Sequence, residues 1–313
     1  MSKYLVTGGA GFIGSNIVEE LVEMGEEVVV LDDLSTGYLD NIEGFMDDID
    51  LIKGDIRDGE AVRKGMAGVD YVLHQAALAS VPRSIDDPVL VNDVNVNGTI
   101  NILEHARKAG VKRLVYAASS SAYGDSEISP KNEQLRPRPL SPYAVSKLVG
   151  EHYCSVYSNV YGLPTISLRY FNVFGPRQDP GSQYAAVVPI FISSLLEGRT
   201  PVIYGDGEQS RDFTFVSNVV RANILAAKSE GAAGEMMNVA CGDQYTVNRL
   251  LEIISEYLGS DTEPEFEDPR PGDVKHSLAD ISKAGRMIDY SVEVSFEEGL
   301  RKTIDWYRQN QQS

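Results

Sequence analysis

Thr7-Gly8-Gly9-Ala10-Gly11-Phe12-Ile13-Gly14 decides how the chain is read. A short apolar strand, Tyr4–Thr7, runs into it, and a stretch of helical periodicity, Gly14–Met24, leaves it. Glycines so placed allow a tight turn, a close approach of backbone to a ligand, and close packing of helix on strand. The helix that follows presents free N–H groups and the positive end of its dipole. Together they form a seat for a pyrophosphate.

Working outward, Val28–Asp32, Leu51–Gly54, Tyr71–His74 and Leu114–Ala118 are further short apolar runs. Ala61–Met66 and Asp93–Ala109 carry helical patterns between them. Apolar strands alternating with helices predict a parallel sheet covered on both faces, the α/β doubly wound Rossmann arrangement. After about residue 165 the pattern loosens, and Pro176, Pro180, Gly181, Pro189, Gly198, Pro201, Gly205 and Gly207 crowd together. A smaller C-terminal α/β substrate-binding lobe is expected there, with Pro264–Asp273 as a loop. The expected division is 1–168 for the Rossmann domain, a return to it around 211–240, and 169–313 mainly for the lobe.

Val30-Leu31-Asp32-Asp33 ends the second strand. A carboxylate at Asp32 accepts hydrogen bonds from ribose hydroxyls and repels a 2′-phosphate, so NAD is the expected dinucleotide. Gly8, Gly11, Phe12, Ile13, Gly14 and Asp33 belong to the same expected site. Asp55-Ile56 follows the third strand, where an adenine would be clamped. His74-Gln75-Ala76-Ala77 ends the fourth, where small residues admit a cofactor and His74 reads as a packing residue.

Tyr143-Ala144-Val145-Ser146-Lys147 opens a helix. Residues four apart share one face, which sets a phenol beside a cation. The cation favours phenolate, and with the positive charge of a bound nicotinamide it is expected to lower a pKa that is ordinarily about 10. Ser119-Ser120-Ser121 ends the fifth strand, where the ligands of open parallel sheets sit. A hydroxyl there can hold the substrate oxygen that exchanges a proton.

The bulk composition narrows the function classes. The chain has 313 residues and a formal charge of −18, which disfavours nucleic-acid binding. Acids dominate and Arg outnumbers Lys, a balance that also suits a salt-adapted host. No stretch approaches the length of a membrane span, and the N-terminus enters a strand at once, so neither a membrane protein nor a signal peptide is expected. Cys154 and Cys241 lie far apart and without metal spacing. No metal is expected, and a reducing cytoplasm is.

Thr7–Gly14, Asp32, Ser119, Tyr143 and Lys147 together resemble the extended short-chain dehydrogenase/reductases. Leu168-Arg169-Tyr170-Phe171-Asn172-Val173-Phe174-Gly175-Pro176 resembles their nicotinamide and sugar pocket, and Arg211-Asp212-Phe213 and Arg270-Pro271-Gly272-Asp273 their diphosphate positions. The likeness is greatest to UDP-galactose 4-epimerase-like enzymes, above all the UDP-N-acetylglucosamine 4-epimerases, through Ala77–Ser84 and His276–Ala284. It implies Ser119, Tyr143 and Lys147 as catalytic residues and adds Asn95 and Tyr170 to the NAD site. For the UDP-sugar it implies Ala79, Ser80, Ser119, Ser120, Ser121, Tyr143, Asn172, Ala186, Val187, Val202, Tyr204, Arg211, Arg270, Asp273 and Ser277. A homodimer built through helices near Asp93–Ala109 and Tyr143–Tyr161 is the family expectation.

Ser277 and Ala79 stand where relatives confined to plain sugars carry larger side chains, so acetylated UDP-sugars are the expected substrates. Arg83 keeps a UDP-uronic acid open, and a plain UDP-glucose 4-epimerase is the other alternative. Dehydratase relatives carry an Asp-Glu pair after the active-site hydroxyl residue, and decarboxylases a Glu in that loop. This chain has Ser120-Ser121. A non-catalytic NAD sensor of this fold would lack the Tyr143/Lys147 pair.

Overall fold

The computed structural model describes residues 1–181, 186–269 and 275–310. Along the N-terminal half run β1 (Lys3–Thr7), α1 (Phe12–Glu23), β2 (Glu27–Asp32), β3 (Ile49–Lys53), α2 (Gly59–Gly65) and β4 (Tyr71–His74). They are followed by α3 (Val81–Asp86), α4 (Pro88–Asn92), α5 (Thr99–Ala109), β5 (Arg113–Ser119), α6 (Pro142–Tyr161) and β6 (Thr165–Tyr170). Next come β7 (Val173–Phe174), α7 (Val187–Leu196), β8 (Val202–Tyr204), β9 (Ser210–Arg211), β10 (Thr214–Phe215), α8 (Val216–Lys228) and β11 (Met236–Val239). The chain ends with β12 (Tyr245–Thr246), α9 (Val247–Leu258), β13 (Glu265–Glu267), α10 (Ser282–Ile288) and α11 (Phe296–Asn310).

β11, β6, β5, β4, β1, β2 and β3 lie side by side in that order, all parallel. The order reverses between β1 and β4, which opens a crevice at the carboxyl ends of the strands. Alternation along each strand feeds two cores. Tyr4, Val6, Val28 and Val30 face one with α1 and α8, while Leu5, Val29 and Leu31 face the other with α2 and α5. Burial of one such aliphatic side chain contributes about 1.5–3 kcal/mol, so the apolar runs read from the sequence are also the fold's main adhesive.

β8 with β13, β7 with β10 and β9 with β12 form two-stranded pairs beside the main sheet. β13 falls inside the stretch expected to be a loop. The helix expected at Asp93–Ala109 starts earlier, at Pro88, and contains a π-helical stretch over Asp93–Gly98. Within it the Thr99 hydroxyl donates to the Asn95 carbonyl at 2.6 Å, and the Asn95 side chain is committed to the Leu78 loop and α6.

Candidate active site

The glycine turn has the geometry its composition requires. Gly8 has φ +69°, and a Cβ there would lie 2.8 Å from the Ala76 backbone. A Cβ on Gly14 would run into the Gly8 carbonyl. α1 begins at Gly11 with no side-chain cap and no acid in its first turn, so its N–H groups face the crevice uncompensated. That is the arrangement a pyrophosphate fits.

The crevice is one continuous cleft running from the glycine turn to Tyr143, Lys147 and Tyr170. Gly8, Gly11, Phe12, Ile13 and Gly14 line one end with Asp32 and Asp33, and Asp55 and Ile56 line the wall beside them. Gln75, Ala76, Ala77 and Ala79 lead to the other end, where Tyr143, Lys147 and Tyr170 meet. Ser35, Thr36 and Gly37 also line it, a loop without a signal in the sequence reading.

Asp32 is buried and accepts from the N–H of Ala10 at 2.9 Å and of Leu34 at 2.8 Å. Burial pushes its pKa up, and those two hydrogen bonds oppose the rise. Each oxygen keeps a lone pair for a ribose hydroxyl. Asp32→Ala is expected to weaken NAD binding by roughly 10–100-fold and to relax discrimination against NADP, the usual scale for losing hydrogen bonds to a charged group. Titration of the two dinucleotides checks this, and a wild-type preference for NADP would overturn it. Asp55 is gripped by Arg57, which also reaches Asp93 at 2.7 Å, so its carboxyl sits below the usual range.

Asn95 departs from expectation. It does not line the cleft; it accepts from Leu78 N–H at 2.8 Å and donates to Leu78 C=O at 3.2 Å and to Ser146 Oγ at 3.0 Å. A carboxamide so occupied pins the loop at Leu78 to α6. His74 is a packing residue, buried between the hydroxyls of Thr7 and Thr99 and held neutral by burial, its pKa down to about 3.

Ser141 caps α6 through Ala144 N–H, and Pro142 opens its first turn. This register aims Tyr143 and Lys147 at the end of β5. Ser119 ends β5 beside the Tyr143 phenol, whose pKa it acts to lower, and accepts from Ser121 Oγ at 2.8 Å and Ser121 N–H at 3.2 Å. Among the three serines the geometry thus sets Ser119 against the phenol, with Ser121 behind it.

Lys147 differs from the simple picture of a cation lowering its neighbour's pKa. Its ammonium donates to the Ala117 carbonyl at 2.7 Å and lies 5.0 Å from the Tyr116 ring centroid. Burial pulls its own pKa down to about 8. The Tyr143 phenol is pushed up, by burial first, with the Ser119 hydrogen bond opposing. In the protein alone, desolvation outweighs the expected electrostatic help from Lys147.

A second cleft adjoins the first: Tyr170 lines one, and Asn172, two residues on, the other. Here Ala186, Val187, Val202, Tyr204 and Arg211 come together with Asn172, from segments far apart in sequence. Asp212 turns the opposite way, accepting from the N–H groups of Cys241, Gly242 and Ala279, and burial pushes its pKa up to about 7. It fastens the strand bearing Arg211 to the segment bearing Ser277. Ser277 is buried, its N–H donating to Ser210 C=O at 3.0 Å. Ser80 caps α3 through Arg83 N–H. Arg270 and Asp273 lie outside the described residues.

Asn223 on α8 escapes the sequence reading. It donates to the Tyr170 hydroxyl at 2.8 Å and accepts from Gln75 at 3.1 Å, so it orients two residues that line the cofactor cleft. A lone Asn in an amphipathic helix carries no local signal of such a role.

The pattern of the NAD dependent epimerase/dehydratase family matches residues 4–240. A UDP-glucose 4-epimerase of Mycolicibacterium smegmatis is 40% identical over 316 residues, covering 99% of this chain and 100% of that one. The solved UDP-N-acetylglucosamine 4-epimerase of Methanobrevibacter ruminantium, in complex with UDP-N-acetylmuramic acid, is 44% identical with a TM-score of 0.95, over 99% of both chains. The UDP-glucose 4-epimerase of Thermus thermophilus, in complex with NAD, is 41% identical with a TM-score of 0.88, over 98% of this chain and 99% of that one. The glycine turn, its carboxylate and the Tyr143/Lys147 helix are thus those of an extended short-chain dehydrogenase/reductase, and the chain belongs to the NAD dependent epimerase/dehydratase family, with NAD as its cofactor.

Proposed function

We propose that the protein is a 4-epimerase of UDP-sugars. Its preferred pair is UDP-N-acetylglucosamine and UDP-N-acetylgalactosamine, with UDP-glucose and UDP-galactose poorer or comparable substrates. One observation carries the reading: the phenol of Tyr143 meets Ser119 at the inner end of the cofactor cleft, and the residues after Ser119 are serines, not an acid and a base. Inverting C4 needs one reversible oxidation, whereas elimination of water needs further proton-transfer groups. The names of the relatives support the same class.

When bound, NAD supplies a hydride acceptor that later returns the hydride to C4. The residues do the rest. Tyr143 takes the proton of the sugar 4-hydroxyl, and Ser119 holds the same oxygen. Lys147 stabilises the phenolate that forms. Arg211 and Asn172 hold the diphosphate in the second cleft, where guanidinium pairs with phosphate oxygens in two-pronged fashion. A 4-keto sugar tethered by its diphosphate can turn over before the hydride returns, which inverts C4.

A homodimer belongs to the reading. Val145, Tyr153, Val156 and Val160 form an exposed apolar stripe on α6, continued by Ile85 on α3 and by Val89, 78% exposed, on α4. This shifts the expected interface from α5 toward α3 and α4. Light scattering on the purified protein checks it, and a monomer mass at micromolar concentration would contradict it. The two free cysteines support a cytoplasmic site. Among the described residues, no helix is long and apolar enough to cross a membrane.

Purified protein incubated with UDP-N-acetylglucosamine is expected to reach an equilibrium mixture of the two 4-epimers at unchanged mass. Loss of water from that sugar, or of carbon dioxide from a UDP-uronic acid offered in parallel, would replace this reading with a dehydratase or decarboxylase.

A further inference from the structure

Glu151 and Arg169 form a two-pronged ion pair buried in the domain, Nε to Oε1 at 2.8 Å and Nη2 to Oε2 at 2.7 Å, with side chains 6% and 2% exposed. Such a pair is poor evidence for stability, because desolvation of two charges costs about as much as their attraction returns. Arg169 underlines the point: its Nη1 is buried without a hydrogen-bond partner, and its guanidinium lies 4.6 Å from the Tyr123 ring centroid. What the pair touches suggests another role. Glu151 is one turn beyond Lys147, on the same face of α6. Arg169 is the residue before Tyr170, and β6 sets it opposite Ala118, next to Ser119. The pair therefore spans the helix bearing Tyr143 and Lys147 and the strand bearing Tyr170, beneath all of them.

We propose that Glu151 and Arg169 are positioning residues of the active site: the pair docks the catalytic helix on β6, and Glu151 is the buried countercharge of the Lys147 ammonium. The inference rests on the assignment of Tyr143 and Lys147 given above. Lys147 is itself 4% exposed, and an isolated buried ammonium gives up its proton. The groups around it are Tyr143, Glu151 and Cys154 on α6, Tyr116 and Ser119 on β5, neutral His74 on β4, and Arg169 on β6. Of these, Glu151 supplies negative charge. With Cys154, it acts upward on the Lys147 pKa against the burial that brings it to about 8, and of the two only Glu151 is a carboxylate, the Cys154 thiol being pushed up by its own burial. Without Glu151 the lysine pKa falls further, and a neutral amine cannot stabilise phenolate.

The test follows the titration of Lys147 in NAD-loaded protein labelled with 13C at the lysine side chains, its resonance assigned as the one missing in Lys147→Met. Two variants are compared with wild type. The double substitution Glu151→Leu with Arg169→Met replaces the pair by apolar groups of similar size, an exchange that buried pairs often tolerate. Glu151→Gln keeps the shape but leaves the Arg169 charge. The Lys147 midpoint is expected to move acidward by about one pH unit in the double variant and further in Glu151→Gln, with turnover above neutral pH falling in step. A midpoint that stays put in a folded variant, whatever happens to turnover, overturns the proposal and leaves the pair a structural strut. So does failure of both variants to fold. If Lys147→Met keeps wild-type turnover, the assignment of the catalytic residues fails instead, which separates the two outcomes.

Discussion

Tyr143→Phe lowers turnover by at least about 100-fold and leaves folding nearly untouched. General-base catalysis by a positioned side chain contributes roughly that much or more. The ring still fills its place at the start of α6, and only the hydroxyl that meets Ser119 is lost. NAD binding is expected to survive, because the glycine turn and Asp32 hold the far end of the dinucleotide. Because burial holds the Tyr143 pKa above its ordinary value, wild-type activity rests on whatever stabilises phenolate in the loaded site. Lys147→Met removes one such charge and moves the pH optimum upward. A Tyr143→Phe variant with more than a tenth of wild-type turnover would show that another group is the base.

Ser277→Tyr abolishes activity on acetylated UDP-sugars and spares plain ones. Ser277 is buried on a segment fastened to the strand of Arg211 by its own N–H and by Asp212. An aromatic ring added there has little freedom to swing away, and overpacking of so enclosed a position costs typically about 1–3 kcal/mol. We propose from the family resemblance that Ser277 borders the sugar's C2 substituent, so the ring takes that volume and an acetamido group loses its place while a hydroxyl keeps it. Specificity constants for the two sugar pairs, measured side by side, read the effect as a ratio that a general loss of stability would not change. If both classes fall equally, Ser277 is a packing residue and the plain UDP-glucose 4-epimerase becomes the better reading.

The parallel sheet is legible in the sequence because its signal is local and redundant. β2 carries Val28-Val29-Val30-Leu31 as an unbroken apolar run, and each residue is buried on one face or the other. The glycine turn is legible because backbone contacts at Gly8 and Gly14 leave no room for a side chain. β9 and β12 are two residues each, too short for any period to show, and their existence depends on pairing with each other. Within the π-helical stretch Asn95 reaches Leu78 and Ser146, a contact made only after α6 has docked. For that reason the sequence does not reveal that Asn95 joins the Leu78 loop to α6. Asn223 bonds to Gln75 and Glu151 to Arg169 across 18 or more residues of chain, pairings that no local pattern marks. Burial raises the Tyr143 pKa and lowers that of Lys147 in the protein without NAD, an effect the sequence does not show because spacing on a helix reports proximity but not desolvation.

The central claim is that C4 is oxidised and reduced by a hydride that never leaves the active site. The direct measurement is conversion of UDP-N-acetylglucosamine by the NAD-loaded protein in D2O, with the product examined at C4. Hydride retained on the cofactor does not exchange with solvent, so UDP-N-acetylgalactosamine carrying protium at C4 is the predicted result. Deuterium at C4, or a product lighter by one water, would contradict the account.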